Sequence, residues 1–470
     1  MLPNKMKNAL IEILGDDNFS DTEVERAAFS YDSSPMDPIL PAAVITPRST
    51  EEVAAIVQLC NEYLVPLIAR GGGSNLAGGT IPVEGAIVIN FRKMNKVVEL
   101  DEENLTITVE PGVITVDIHT LVESKGLFYP PDPGSMKVST IGGNVAENAG
   151  GLRGLKYGIT GNYVIGLTIV LPNGEIIQTG GKLAKDVAGY NMTQLYVGSE
   201  GTLGIITEII LKLLPKPEAK KTMLAQFSDI DSAARTVSKI IASKIIPVTL
   251  ELLDKPTIKV VEDYAKIGLP VDVDALLLIE QDGPEEIAAR DIAIINEICQ
   301  YEGAIETKVA TSDLEAESLM TARRSALAAL SRLAPTTILE DATVPRSKVA
   351  EMVKAIGEIS EKYDINICTF GHAGDGNLHP TVAVDRRNKE EMEKAEQAFA
   401  EIFARAVEMG GTITGEHGVG KMKAPYLHLK VGRAGIEAMK AIKLALDPNN
   451  IMNPGKVFQD IPFPKTKVEE

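Results

Sequence analysis

The chain has 470 residues and carries 47 Lys and Arg against 65 Asp and Glu, a formal net charge of −18. That length predicts two or three domains, and that charge argues against non-specific binding to nucleic acid or anionic lipid. Three cysteines, Cys60, Cys299 and Cys368, with no Cys-x-x-Cys, exclude a disulfide framework and a cysteine-ligated iron–sulfur cluster.

Residues 1–17 read as a short amphipathic helix containing acids, without the apolar core and cleavage site of a signal peptide. No apolar run approaches the ~18 residues of a membrane span. A cytoplasmic protein without an integral membrane segment is the expectation, and peripheral membrane contact stays open. Residues 42–47 form an apolar strand ended by Pro47. Residues 49–63 predict a helix: Ser49 or Thr50 can cap it, acids fill its first turn, and Val53, Ile56, Val57, Cys60 and Leu64 line one face. A strand over 65–70 runs into a Gly-rich loop and then a strand over 86–91, so the first region is α/β or α+β. A strand over 105–112, a helix over 115–126 and a Gly- and Pro-rich stretch over 130–158 follow. Asn173-Gly174 turns a hairpin over 164–180, and 196–215 is a loop leading into a long apolar strand.

Pro217 and charge break the pattern over 216–221, which marks a domain boundary. Beyond it, strand, helix and strand recur twice (222–254 and 275–309), predicting a ferredoxin-like split βαβ sheet. A helix over 312–333, a strand over 336–341, a helix over 346–362 and a strand over 366–370 come next. An amphipathic helix over 389–409 and a helix from 435 closed by Asp447-Pro448 complete the chain.

Several constellations carry chemistry. Arg70-Gly-Gly-Gly-Ser-Asn-Leu-Ala-Gly-Gly79 follows a strand. With no Cβ, its backbone N–H groups can approach phosphate oxygens, although a tight surface loop has the same composition. It is not a Gly-x-Gly-x-x-Gly opening a helix, so a standard Rossmann site is not indicated. Thr140-Ile-Gly-Gly-Asn-Val-Ala-Glu-Asn-Ala-Gly-Gly151 reads as a helix start that could accept a diphosphate or the flat face of a ring, or pack closely on another element. Gly198-Ser-Glu-Gly-Thr-Leu-Gly204 is a third such segment. Three of them feeding one sheet favour a long, dinucleotide-like ligand. Gly371-His-Ala-Gly-Asp-Gly-Asn-Leu-His379 puts His372 and His379 at the mouth of a hairpin, and Thr414-Gly-Glu-His-Gly-Val-Gly-Lys421 supplies Glu416 and His417. Two His and one Glu form a metal set with open coordination positions, as in catalytic sites, and His417 would remain as a base. The alternative is that these His satisfy backbone groups in turns. His119 and His428 read as ordinary helix residues. Gly415 to Lys421 matches part of a Walker A loop, but Met422 stands where Ser or Thr is required.

In order along residues 70–456, the motifs RGGGSNLAGG, PPDPGS, STIGGNVAENAGG, GSEGTLGIITE, GHAGDGNLH, GEHGVG and DPNNIMNPGK resemble the FAD-linked D-2-hydroxyacid dehydrogenases. These are flavoproteins of the vanillyl-alcohol-oxidase and p-cresol-methylhydroxylase (VAO/PCMH) type, a group that includes D-lactate dehydrogenase and the FAD subunit of glycolate oxidase. The resemblance implies an α+β chain: a two-part FAD-binding domain over 1–218, a ferredoxin-like cap with a metal site over 219–430, and a C-terminal helical segment over 431–470 returning to the FAD domain. It implies that Gly71, Gly72, Gly73, Ser74, Asn75 and Gly79 hold the FAD diphosphate. Pro133, Gly134, Ser135, Thr140, Gly143, Asn144, Gly150 and Gly151 would line the ring and ribityl chain. Gly201, Gly204 and Ile206 would lie near the adenine half, with Asn453 approaching the flavin. Gly73-Ser74 stands where covalent-flavin relatives carry His, so FAD is expected to be non-covalent.

By the same resemblance His372, His379 and Glu416 bind a divalent metal (Zn, Fe or Mn), His417 acts on the substrate, and Arg323 pairs with its carboxylate through a bidentate fork. Arg324 would point about 100° away on the same helix. Leu339 stands near the position where relatives acting on a dicarboxylate carry Lys, which favours a small monocarboxylate. The implied function is oxidation of a small D-2-hydroxy acid, D-lactate first and glycolate as alternative, to the 2-oxo acid. Electrons would pass to a partner such as an electron-transfer flavoprotein or an iron–sulfur subunit. A metallohydrolase and a non-catalytic flavin electron-transfer subunit are the rival classes.

Overall fold

Short strands that bury both faces make the first layer. In the computed structural model, which describes residues 2–467, β1 (Phe19–Ser20), β2 (Ala43–Ile45), β3 (Leu67–Arg70) and β4 (Ile87–Asn90) lie in the order β1-β2-β4-β3. The β2, β3 and β4 strands run parallel. On one face Ala43, Ile45, Leu67, Ile87 and Ile89 pack with Met6, Leu10 and Leu14 of α1 (Asn4–Leu14) and with Val53, Ile56, Val57 and Cys60 of α2 (Thr50–Tyr63). Val44, Ile68 and Val88 point the other way into a second cluster. Double burial is the rule for parallel sheets, and each such Ile or Leu contributes roughly 1.5–3 kcal/mol. Ser49 caps α2, as its sequence position predicts.

A second sheet in the same unit is antiparallel. Its strands are β5 (Val97–Asp101), β6 (Thr106–Val109), β7 (Val164–Val170), β8 (Ile176–Gly180) and β9 (Ile205–Lys212), in the order β5-β6-β9-β7-β8. The expected hairpin is β7–β8, with Gly174 at φ +84° in its turn.

The chain forms two units: Met1–Ala149, Ile159–Pro215 and Glu416–Glu470, and then Gly150–Gly158 with Lys216–Gly415. The changeover at Lys216 falls within the Pro- and charge-containing break. The return to the first unit comes at Glu416 rather than 431, because Val419, Gly420 and Val457 bond within the first unit. Gly150–Gly158 belongs to the second unit, where Thr249 bonds Leu152 O and Lys156 pairs with Asp282.

In that second unit β10 (Ala219–Phe227), β11 (Thr249–Asp254), β12 (Ala275–Gly283) and β13 (Ala304–Val309) lie in the order β13-β10-β12-β11. This fourth-first-third-second order is the ferredoxin-like arrangement. The sheet continues from β11 through β16 (Ile367–His372) and β17 (Asn377–Val384) to β14 (Thr336–Leu339), and β15 (Ala342–Thr343) also pairs with β17. The helix expected over 312–333 ends at Arg324 and resumes at Ala326–Leu330. A helix over Lys255–Ala265, opened by Pro256, escaped the sequence reading. No described helix is long and apolar enough to cross a membrane.

Asp254 closes β11. It caps the Lys255–Ala265 helix through Thr257 N–H at 2.9 Å and accepts Thr369 N–H at 2.6 Å. Burial pushes its carboxyl up to about 6. The folded state therefore holds a proton that the unfolded chain releases between about pH 4 and 6, and stability falls as pH rises through that window. Asp254→Asn keeps one acceptor oxygen for these two backbone N–H groups, so it is expected to lose the pH dependence and to be less stable than wild type at pH 4 by roughly 1–3 kcal/mol. Paired thermal melts across that range check it.

Candidate functional site

The β16–β17 hairpin pairs His372 with Asn377 and Phe370 with His379. With a side-chain period of two, His372 and His379 share one face. Their rings stand nearly perpendicular with centroids 5.1 Å apart, and both are buried. The turn depends on Gly376, which has φ +89° and would place a Cβ 2.0 Å from Val344 O. Gly376→Ala is expected to cost about 3 kcal/mol or more, through backbone strain and collision, read from a denaturant titration.

Glu416 joins this pair: the ligand atoms of His372, His379 and Glu416 lie within 4.8 Å of one another. Glu416 follows Gly415 in the chain, and Gly415 is held closely. Its N–H donates to Asp341 Oδ2 at 2.6 Å, and a Cβ on it would meet Thr343 Oγ1 at 2.3 Å and Asn377 Nδ2 at 2.7 Å. His417 Nε2 lies 3.9 Å from Glu416 Oε1. The donor set of two imidazoles and a carboxylate fits a divalent transition metal with open positions.

Arg323 ends its helix with Nε donating to Glu251 Oε2, and its guanidinium lies 4.6 Å from the Phe370 ring centroid. Among the described residues neither Nη group donates to a protein acceptor. That leaves a fork suited to a carboxylate. Arg324 instead pairs with exposed Glu317 at 2.6 Å. Glu251 is fully buried on β11, one step from the Leu252–Gly371 pair, and its Oε1 is 2.6 Å from His372 Nδ1. Burial alone would raise its carboxyl, but its interactions with His372 and Arg323 outweigh burial and hold it below the ordinary range. Sequence reasoning missed Glu251, although a lone acid pair in the apolar strand Thr249–Asp254 was the available signal.

The Gly-rich segments of the first unit converge. A Cβ on Gly71 would stand 2.0 Å from Thr140 Oγ1, and one on Gly72 2.4 Å from Val138 O. Thr140 caps the helix Ile141–Glu147 by accepting Gly143 N–H. The third segment packs on that helix, with Gly198 N–H and Glu200 N–H donating to Val145 O and Ala146 O at 2.9 and 2.8 Å. Among the described residues the backbone N–H groups of Gly72, Gly73, Ser74 and Asn75 donate to no protein acceptor. Gly72 is exposed and Gly73, Ser74 and Asn75 are half-buried, so these amides stay accessible, and bare Gly backbone leaves room for a phosphate to reach them. The Asn75 side chain is not one of the donors: it gives Nδ2 to Asp32 at 2.6 Å and accepts Thr80 Oγ1 at 2.9 Å, shaping the loop instead.

Asn453 donates Nδ2 to Gly79 O and Glu200 O at 2.9 and 2.7 Å, which ties the first and third segments together, and its Oδ1 is buried with no partner. Asn144 bonds Thr115 at 2.7 Å. Pro133, Gly134 and Ser135 form a turn in which a Cβ on Gly134 would meet open space. Gly201 and Gly204 lead into β9, where Ile206 pairs with Ile169. Gly150 and Gly151 lie in the second unit.

Two acids of this unit, buried Glu200 and half-buried Glu147, were also missed. Glu200 accepts Val419 N–H and Gly420 N–H, each at 2.7 Å, and Ala77 O takes the N–H groups of Lys421 and Met422. Those amides are therefore unavailable to phosphate, which removes the Walker-like reading. Burial, then Glu200 and Asp32, push Glu147 well above the carboxylate range. His119 bonds Pro131 O and His428 is exposed near Pro425 O, both as ordinary helix residues.

The family description "FAD binding domain" matches residues 41–180, and "FAD linked oxidases, C-terminal domain" matches 216–457. The glycolate oxidase subunit GlcD of Bacillus subtilis (strain 168) is 63% identical, over 97% of this chain and 97% of its own length. D-lactate dehydrogenase of Anaerostipes hadrus is 37% identical over 89% of each. Among solved structures, p-cresol methylhydroxylase with substrate bound superposes with a TM-score of 0.82 at 19% identity, covering 97% of this chain and 96% of that one. The 4-ethylphenol oxidase from Gulosibacter chungangensis gives 0.80 at 18%, covering 99% of each. At such identities these two speak for the fold, which is of the VAO/PCMH type. With both family models matching and a 63% identical relative covered over 97% of each chain, the chain belongs to the FAD-linked oxidases and is an FAD-dependent oxidoreductase.

Proposed function

We propose that the protein oxidises a small 2-hydroxy monocarboxylate to the 2-oxo acid, with glycolate first and D-lactate second. The observation that carries this reading is the set of buried His372 and His379 with half-buried Glu416, together with the Arg323 fork held by Glu251. The 63% identity to a glycolate oxidase subunit puts glycolate ahead of the D-lactate favoured by sequence alone, and relatives named D-lactate dehydrogenase keep that substrate second. When bound, FAD would supply the hydride acceptor and the divalent metal would polarise the substrate hydroxyl.

The remaining work falls to side chains. Arg323 would clamp the substrate carboxylate, and His417 would take the hydroxyl proton at Nε2 as the Cα–H leaves as hydride. Gly71 to Asn75 and Gly79 would cradle the diphosphate of non-covalent FAD. The Pro133–Ser135 turn, Thr140, Gly143, Asn144, Gly150 and Gly151 would line the ring and ribityl chain, with Gly201, Gly204 and Ile206 near the adenine half and Asn453 near the flavin. The relative's name as a subunit supports transfer of electrons to a partner protein, an electron-transfer flavoprotein or iron–sulfur subunit.

The test is an anaerobic absorbance spectrum of protein loaded with FAD and divalent metal, taken before and after glycolate, D-lactate and L-lactate. Loss of the oxidised-flavin band with glycolate and D-lactate, but not L-lactate, is expected. A flavin that no hydroxy acid reduces would favour an electron-transfer subunit, and a metal-loaded protein that takes no flavin would favour a hydrolase.

A further inference from the structure

We propose that Glu251 is a positioning residue serving both halves of the substrate site: one oxygen sets the metal-facing nitrogen of His372, and the other sets the carboxylate-binding fork of Arg323. The inference rests on the reading of the site given above and assigns a role to a residue outside the ligand set.

Glu251 sits on β11, His372 ends β16 and Arg323 comes from the helix Asp313–Arg324, so three separate elements meet at one buried carboxylate. Oε1 lies 2.6 Å from His372 Nδ1. An ionised carboxylate only accepts, so Nδ1 must carry the proton and Nε2 keeps the lone pair. That is the arrangement by which an outer carboxylate fixes the tautomer of a metal-binding imidazole. Oε2 accepts from Arg323 Nε, and Phe370 lies under the guanidinium at 4.6 Å. With Nε held and the plane stacked, the two Nη groups are left as a pre-aimed fork, at little cost in side-chain entropy.

A buried ion pair kept only for stability is on average no better than well-packed apolar residues. What this carboxylate adds is orientation, and it adds it to two functional side chains at once. Glutamine has the same shape but only one acceptor oxygen. If its NH₂ faces His372, Nδ1 becomes the acceptor and Nε2 carries the proton, which blocks metal. If its NH₂ faces Arg323, two donors meet and the fork shifts. Glu251→Gln therefore cannot satisfy both partners in either orientation.

The test uses the FAD-loaded full chain of wild type, Glu251→Gln and Glu251→Asp. Zn²⁺ affinity is measured by competition with a chromophoric chelator, and KM and kcat for glycolate with a dye acceptor. Glu251→Gln is expected to lose 10–100-fold in Zn²⁺ affinity or to raise KM for glycolate about tenfold or more, according to which partner its NH₂ group faces. Glu251→Asp keeps the charge opposite Arg323 but is one methylene too short to span both partners. It is expected to fold with a lowered melting temperature and still lose affinity for Zn²⁺ and glycolate, so a folding failure of the Gln protein leaves the question decidable. Zn²⁺ affinity and KM indistinguishable from wild type in the folded variants would overturn the proposal. So would a loss confined to the same one of the two measurements in both variants. A wild-type protein that takes up no Zn²⁺, Mn²⁺ or Fe²⁺ would instead overturn the metal reading on which the proposal stands.

Discussion

Removing divalent metal with a chelator, or replacing His379 by Gln, is expected to leave the flavin bound and slow its reduction by glycolate roughly 10³-fold, about 4 kcal/mol of transition-state stabilisation. His379 is buried in β17 with its ring edge-on to His372. Gln fills much of the same space, so the loss reports chemistry rather than a cavity. Apart from Gly150 and Gly151 the candidate FAD residues lie in the first unit, and the two histidines lie in the second, so FAD content should not change. Stopped-flow reduction of the oxidised flavin, with and without restored metal, checks both statements. Restored metal should recover the chelated wild type and not the variant. Reduction within about tenfold of wild type in the chelated protein would show that the ion contributes less than about 1.4 kcal/mol, too little for the proposed polarisation.

Arg323→Met is expected to lower kcat/KM for glycolate by 10²–10³, roughly 3–4 kcal/mol, because two charge-assisted bonds to the substrate carboxylate disappear. It should also destabilise the fold by about 3 kcal/mol, since Glu251 would lose its buried guanidinium partner. Arg323→Lys separates the two effects. It restores the charge opposite Glu251 and most of the stability. Its ammonium cannot reproduce the planar fork, so most of the kcat/KM loss should persist. Arg324→Ala is the control: its partner Glu317 is exposed, and such pairs are worth about 0–1 kcal/mol, so activity should stay near wild type. Equal losses at Arg323 and Arg324 would remove the special role of the former.

Much of the fold was legible because local chemistry decides it. Ser49 caps its helix, Asn173-Gly174 turns its hairpin, and the two strand–helix–strand runs after residue 222 form the sheet order they imply. The break at 216–221 marked a true change of unit, while the return at Glu416 was invisible, because it is set by bonds from Val419 and Gly420 to Glu200, a distant acid. The same holds for Asn75. Its place in the Gly loop suggested a phosphate donor, and the structure gives its amide to Asp32, 43 residues away.

The sequence by itself determined the composition of the site: Gly runs whose bare backbone can approach phosphate, two histidines seven residues apart on a hairpin, and a Glu-His pair between glycines. Each is a property of a few adjacent residues, and spacing along a strand or turn already settles which face they share. Only the tertiary structure decided what completes it. Glu251 reaches His372 across 121 residues and Arg323 across 72. No local pattern predicts such a meeting, because a buried carboxylate finds its partners through sheet register and helix docking, and one apolar strand reads much like another until its neighbours are known.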